Sequence, residues 1–155
     1  MSDAPIRVLF VCTGNSARSQ IAEALLGRFG GHRFVGASAG TEPNGVNPFA
    51  IRTLADVGID WSGARSKSVT ELLGQPFDYV ITVCDRARQS CPVFPGSHES
   101  LHWGLEDPAE VQGSEEEKLA GFERTRMELT QRLRLFVEVA RRSAAQQPVR
   151  SLPSG

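Results

Sequence analysis

The sequence has few of the features that mark a membrane-spanning, secreted or nucleic-acid-binding protein. Its longest early apolar run, Val8 to Val11, is far shorter than the ~20 residues of a membrane helix. No charged leader followed by a long apolar stretch opens the chain. With 17 basic and 18 acidic residues the net charge is −1, so no overall positive field attracts nucleic acid or an anionic membrane. We therefore expect a cytoplasmic protein that binds neither.

Cysteine is scarce as well. Three cysteines are too few for a disulfide-stapled scaffold, and in a reducing compartment they are catalytic, redox-active or buried. A length of 155 residues fits one domain. We expect that domain to cover residues 1–142 and to act as a monomer. The segment 143–155 is rich in Ser, Gln and Pro, and we expect it to be a flexible tail.

Strand patterns and helix patterns alternate along the chain. Apolar, β-branched runs predict strands at 6–11, 33–37, 78–83 and 101–103. Helical periodicity and capping residues predict helices that begin near Arg18, Pro48, Ser68 and Ser114. This alternation predicts an α/β three-layer sandwich with a four-stranded parallel sheet of the flavodoxin or Rossmann type. In such folds a ligand binds beyond the carboxyl ends of the strands.

A thiol at the end of the first strand precedes an arginine by six positions. Between Cys12 and Arg18, Gly14 and Asn15 allow the backbone to curl so that its N–H groups surround a tetrahedral anion at a helix N-terminus. Arg18 can hold two anion oxygens, and the N–H groups and Ser19 favour the thiolate form of Cys12. The spacing alone fits a buried cysteine and a surface arginine equally well, but the strand-turn-helix context favours an anion site. The expected anion-binding residues are Thr13, Gly14, Asn15, Ser16, Ala17, Arg18 and Ser19.

Residues 8–19 resemble the phosphate loop of the low-molecular-weight protein tyrosine phosphatase superfamily, and especially that of its arsenate reductase branch. The resemblance extends from about Arg7 to the final helix. It implies the fold of that superfamily, with Cys12 as the nucleophile and Arg18 as the anion clamp.

Features other than Cys12 and Arg18 separate the two branches. Cys84 and Cys91 match the second and third redox cysteines of thioredoxin-coupled arsenate reductases, and Asp107 matches the family's general acid. Phosphatases of this fold often follow Asp-Pro with aromatic residues, whereas Ala109 and Glu110 follow here. The same phosphatases often carry a second loop cysteine where this chain has Ala17. The resemblance therefore implies a thioredoxin-coupled arsenate reductase.

Other readings of these residues stay open. The chain could be a phosphomonoester hydrolase, a mycothiol- or glutaredoxin-coupled reductase, or a non-catalytic oxyanion-binding module. Cys84 and Cys91 could be buried structural residues. A zinc site formed with His98 and His102 is disfavoured, because the gap between the two cysteines exceeds the usual two to four residues.

The resemblance also implies a mechanism. Cys12 attacks arsenate while Asp107 protonates the leaving oxygen, Cys84 then attacks Cys12, and Cys91 attacks Cys84. A redox-active Cys84–Cys91 disulfide remains for thioredoxin to reduce, and no bound cofactor is needed. Phosphate and sulfate are expected to compete with arsenate. If residues 85–91 form a helix, the Cα atoms of Cys84 and Cys91 lie ~10 Å apart. A disulfide tolerates a Cα separation of only ~7 Å, so the helix must unwind before these two cysteines can bond.

Some reductases of the family bind potassium behind the anion loop. Residues matching Asn15, Glu23 and Ser38 support the loop there, together with an acidic residue near Ser66 where this chain has Lys67. The resemblance implies that an ammonium group replaces the ion, so we expect neither a bound metal nor a need for potassium. Glu23 also fits an exposed helix charge. We assign Trp61 and Trp103 to packing.

Overall fold

The computed structural model describes residues 4–96 and 98–146. Four strands form one parallel sheet in the order β2-β1-β3-β4. This observation confirms the predicted α/β class and four-stranded parallel sheet. The strands are β1 (Ile6–Cys12), β2 (Phe34–Gly40), β3 (Tyr79–Thr82) and β4 (Glu99–His102).

The strand order places the switch point of the sheet beside Cys12. β1 pairs with β2 on one side and with β3 on the other, so the chain changes direction across the sheet between β1 and β3. Val11 lies opposite Thr82, which puts the carboxyl ends of β1 and β3 side by side. A crevice at such a point is where ligands bind in open α/β sheets.

The second strand is longer than its sequence pattern predicts. The prediction of 33–37 is wrong at its C-terminal end, because β2 continues to Gly40, which pairs with Cys12. The last three residues are small and carry no β-branched signal. A Cβ atom on Gly40 would lie 2.5 Å from the Thr13 carbonyl oxygen, so only glycine fits where β2 passes behind the anion loop.

Four α-helices in the described part of the chain connect and cover the strands. They are α1 (Arg18–Gly30), α2 (Pro48–Ala55), α3 (Asp85–Ser90) and α4 (Glu115–Gln146). Pro48 begins α2 as predicted, and Asn47 caps it by accepting a hydrogen bond from the Phe49 N–H. The capping box at Ser68 is present, but it opens a short 3-10 turn, Val69–Leu72, rather than an α-helix.

The long helix α4 closes the fold. Ser114 and Glu117 exchange side-chain-to-backbone hydrogen bonds at its start, as the capping-box pattern predicts. Phe136 of α4 packs against Phe34, Tyr79 and Trp103, so the helix crosses the sheet. The predicted tail is wrong over 143–146, which belong to α4, and residues 147–155 lie outside the described chain. No helix within the described ranges is long and apolar enough to cross a membrane.

Candidate active site

The loop between β1 and α1 is held in shape by hydrogen bonds that its carbonyl groups accept from residues outside the loop. A trans peptide directs its N–H opposite to its C=O, so outward carbonyls leave the next N–H groups facing the interior of the loop. Asn15, with a φ of 47°, turns the chain through the left-handed region. The carbonyls of Cys12, Thr13, Gly14 and Ser16 accept hydrogen bonds of 2.8–3.2 Å from the backbone N–H groups of Thr41, Glu42, Asn44 and Asn47 and from the Ser66 hydroxyl.

Cys12 lies at the base of this loop. Its side chain is 2% exposed, and its sulfur is 2.8 Å from the Ser19 hydroxyl oxygen in the first turn of α1. No side chain caps the N-terminus of α1, so the N–H groups of its first turn add their partial positive charge to the loop. The Cys12 sulfur therefore lies beside the first turn of α1, next to the expected anion-binding residues 13–19.

Arg18 and Asp107 meet at the rim of the loop. The guanidinium donates from Nη1 to the Leu105 carbonyl at 3.0 Å, and Nη2 lies 3.6 Å from Asp107 Oδ2. Its Nε–H is buried and has no acceptor among the described residues. Asp107 is held by the Ala109 N–H at 3.0 Å. The pair can therefore present a cationic fork and a carboxyl group to the same bound anion.

Cys84 reaches the loop from the neighbouring strand. It follows β3, is 4% exposed, and its sulfur lies 3.4 Å from the Thr13 hydroxyl, one residue from Cys12. The same sulfur caps α3 by accepting from the Ala87 N–H at 3.4 Å. The Cys84 sulfur therefore lies at the edge of the anion loop and at the start of α3.

Cys91 lies at the far end of α3. It is half-buried, and this burial raises the pKa of its thiol. Its N–H donates to the Ala87 carbonyl at 2.8 Å, which completes the last turn of α3. The helix thus keeps Cys84 and Cys91 at its opposite ends, and all three cysteines are free thiols.

Sequence reasoning considered His102 only as a ligand of the disfavoured zinc site and did not predict its contacts in the structure. It lies at the end of β4, where one ring nitrogen is 2.8 Å from the Thr82 hydroxyl and the other is 2.8 Å from Asp85 Oδ1. Asp85 is the first residue of α3, so His102 ties the start of that helix to the sheet. The only signal for His102 in the sequence is that it lies five positions before Asp107.

The residues that match the family's potassium site are hydrogen-bonded to protein groups in this structure. Asn15 Oδ1 already accepts from the Lys67 N–H at 3.0 Å and from the Gln20 amide at 3.0 Å. Ser38 donates its hydroxyl hydrogen to Glu23 at 2.6 Å. Burial raises the pKa of Glu23, while Ser38 and the Lys67 ammonium lower it in part. The Lys67 side chain thus supplies the positive charge beside this carboxylate.

Two further residues behind the loop were not expected to contribute. Gln20 is fully buried, and its amide nitrogen contacts Asn15 and the Arg65 carbonyl. The Trp61 indole donates to the Gln20 side-chain oxygen at 2.8 Å, so Trp61 does more than pack. No group of three or more His, Cys, Asp or Glu side chains in residues 4–96 and 98–146 is arranged to hold a metal ion.

Comparison with known proteins places this geometry in a family. Residues 7–146 match the model of the low molecular weight phosphotyrosine protein phosphatase family. An arsenate reductase of Halalkalibacterium halodurans is 41% identical over 134 residues, which cover 86% of this chain and 96% of the relative.

Solved structures agree with this placement. A thioredoxin-dependent arsenate reductase of Corynebacterium glutamicum superposes with a TM-score of 0.72 at 30% identity, covering 92% of this chain but 65% of that one. An arsenate reductase from Archaeoglobus fulgidus gives a TM-score of 0.69 at 31% identity, covering 84% and 98%. The chain belongs to the low molecular weight phosphotyrosine protein phosphatase family, on its arsenate reductase branch.

Proposed function

We propose that this protein reduces arsenate to arsenite with three cysteines in sequence and that thioredoxin restores its thiols. One contact carries the proposal: Cys84 Sγ lies 3.4 Å from the hydroxyl of Thr13, the neighbour of Cys12. A phosphatase needs only the anion loop, the arginine and an acid. A second thiol at the edge of the loop, with a third beyond a short helix, supplies what a disulfide relay needs in addition.

The first step forms a covalent adduct on Cys12. Loop N–H groups and the Arg18 guanidinium bind the arsenate oxygens, and the Cys12 thiolate attacks arsenic. Asp107 gives a proton to the departing oxygen, which leaves as water once it carries two protons. An As–S bond replaces an As–O bond, so arsenic is still pentavalent.

The second step transfers two electrons. The Cys84 thiolate attacks the Cys12 sulfur, an S–S bond forms, and the electron pair of the As–S bond stays on arsenic, which leaves as trivalent arsenite. The two cysteines are thereby oxidised by two electrons. Thr13 lies where its hydroxyl can donate to the attacking Cys84 thiolate.

The third step moves the disulfide outward. Cys91 attacks Cys84, the Cys12 thiolate leaves, and the Cys84–Cys91 disulfide results. Burial raises the pKa of Cys91 in the closed protein, so this attack becomes efficient only when the segment carrying it opens to water. A dithiol such as thioredoxin then reduces the disulfide and completes the cycle.

The decisive assay follows NADPH consumption with arsenate, thioredoxin and thioredoxin reductase, in parallel with hydrolysis of p-nitrophenyl phosphate. We expect arsenate-dependent NADPH consumption that Cys12→Ser, Cys84→Ser or Cys91→Ser each abolishes. Cys91→Ser should still release one arsenite per protein and stop with Cys12 joined to Cys84. Ser90→Ala, beside Cys91, is the matched control and should behave as wild type.

Two outcomes would refute the proposal. Phosphate ester hydrolysis without arsenate-dependent NADPH consumption would identify a phosphatase. Turnover that survives Cys84→Ser and Cys91→Ser but needs a low-molecular-weight thiol would identify a mycothiol- or glutaredoxin-coupled reductase.

We further propose that turnover does not require potassium. The Lys67 ammonium supplies the positive charge beside the Glu23 carboxylate, and Asn15 Oδ1 already accepts two hydrogen bonds. Replacing potassium chloride with choline chloride at constant ionic strength should leave the rate unchanged. Activation of several-fold by potassium would contradict this.

A further inference from the structure

A file of hydrogen-bonded side chains, formed by Trp61, Gln20, Asn15 and Ser19, leads to the sulfur of Cys12, and the Gln20 amide nitrogen also contacts the Asn15 and Arg65 carbonyls. The Trp61 indole nitrogen lies 2.8 Å from Gln20 Oε1, and Gln20 Nε2 lies 3.0 Å from Asn15 Oδ1. Asn15 Nδ2 is 2.8 Å from the Ser19 hydroxyl oxygen, which is 2.8 Å from Cys12 Sγ. Four consecutive hydrogen bonds therefore lead from the indole to the thiol.

Chemistry fixes the direction of every bond in this file. An indole N–H can only donate, so the Gln20 atom facing it is the carbonyl oxygen and its amide nitrogen faces Asn15. The Lys67 backbone N–H can only donate as well, which identifies the Asn15 atom it meets as the oxygen and leaves the Asn15 amide nitrogen for Ser19. Because the Ser19 oxygen accepts from Asn15, its own hydrogen is free to point at the Cys12 sulfur.

The interior links are shielded from water. Gln20, Asn15 and Ser19 are fully buried, and Cys12 is 2% exposed. In a low-dielectric interior, hydrogen bonds aligned in one direction polarise one another and each strengthens the next. The final donor in this file, Ser19, meets the group that must carry negative charge when Cys12 reacts.

We propose that Trp61 is a positioning residue for the nucleophile: through Gln20, Asn15 and Ser19, its indole N–H favours the thiolate form of Cys12. The inference goes beyond the proposed function and does not depend on it. Cys12 would be the nucleophile of a reductase and of a phosphatase alike, and neither Cys84 nor Cys91 takes part in the file.

The test measures the alkylation rate of Cys12 against pH. In a protein with Cys84→Ser and Cys91→Ser, iodoacetamide reports the single remaining thiol. Trp61→Phe keeps an aromatic ring but removes the donor. We expect the half-maximal pH of Cys12 alkylation to rise by up to about 0.3, which lowers the rate well below that pH by up to about twofold, because the lost bond weakens its successors.

A double variant separates positioning from general loosening. Once Ser19→Ala has removed the last link, Trp61→Phe should shift the profile no further. Trp103→Phe, at the other tryptophan, is the matched control and should leave the profile unchanged. A Trp61→Phe profile that coincides with the parent would overturn the proposal, as would a shift of equal size in the Ser19→Ala background.

A second measurement needs no change at Trp61. In the single-thiol protein, the indole N–H signals of the two tryptophans can be followed by NMR as pH rises. The Trp61 signal should move with the same midpoint as Cys12 alkylation, and the Trp103 signal should not. If the chemical shift of the Trp61 indole N–H does not change over the pH range in which Cys12 alkylation rises, the proposal is overturned, even if Trp61→Phe fails to fold.

Discussion

Oxidation should unwind α3, because the helix and the proposed Cys84–Cys91 disulfide cannot coexist. The cysteines flank the six residues of α3, and seven residues of helix rise separate them by about 10 Å. A disulfide tolerates Cα separations only up to about 7 Å. The Cys84–Cys91 bond therefore requires that the helical hydrogen bonds break.

The structure indicates how firmly α3 is held. Its bonds include Arg88 N–H to the Cys84 carbonyl at 3.2 Å and Cys91 N–H to the Ala87 carbonyl at 2.8 Å. Ala87 is the only residue of the helix that is buried. At about 1 kcal/mol for each of these bonds and about 0.8 kcal/mol for one buried methyl, these contacts contribute about 3 kcal/mol before the entropy cost of ordering the helix is subtracted. The protection of α3 from hydrogen exchange in the reduced protein therefore stays below about 100-fold.

Hydrogen exchange followed by mass spectrometry tests this prediction. Peptides covering 85–91 should lose their protection on oxidation, while those covering β1 should not change. Ala87→Gly should weaken α3 by about 1 kcal/mol and speed exchange of the reduced form about fivefold. Equal protection of 85–91 in the reduced and oxidised proteins would refute both the unwinding and the relay that needs it.

Three further outcomes follow from the site. Arg18→Lys loses the planar fork and should weaken sulfate binding by at least about tenfold, the value of one charge-assisted bond, whereas the exposed Arg86→Lys should have no effect in calorimetry. Asp107→Asn should slow formation of the arsenic adduct in single-turnover experiments while sulfate affinity is kept, and unchanged kinetics would remove its role as the acid. Burial raises the pKa of Glu23 above its ordinary 4.5, so the protonated side chain favours the folded state. This contribution to the free energy of unfolding is fully present below pH 4.5 and is lost as pH rises through the raised pKa. Glu23→Gln should therefore raise stability at pH 7 in urea titrations, with the gain vanishing near pH 4.

The local parts of the site could be predicted from sequence. The thiol, turn, arginine and helix start lie within eight consecutive residues, so their meeting needs no long-range contact. The closeness of Cys84 to this loop followed from the rule that carboxyl ends of parallel strands share one edge.

Contacts between distant segments could not be predicted. Trp61 meets Gln20 across 41 positions, and His102 meets Asp85 across 17, so no spacing pattern marks either pair. The extension of β2 to Gly40 could not be predicted for a related reason. Glycine is required there because the Thr13 carbonyl approaches closely, and that contact leaves no strand pattern in the sequence.

The arrangement separates the redox cycle from the stability of the domain. β1 and β3 are paired, and the Cys84 sulfur lies 3.4 Å from the Thr13 hydroxyl, so the proposed Cys12–Cys84 bond would join the ends of two neighbouring strands. The next exchange needs movement only in α3, which buries one alanine and is fixed at its start by the His102 contact to Asp85. Since β1 and α1 lie outside α3, we expect the anion loop to keep its shape when α3 opens. The proposed three-thiol chemistry thus needs one short helix to open beside the anion loop.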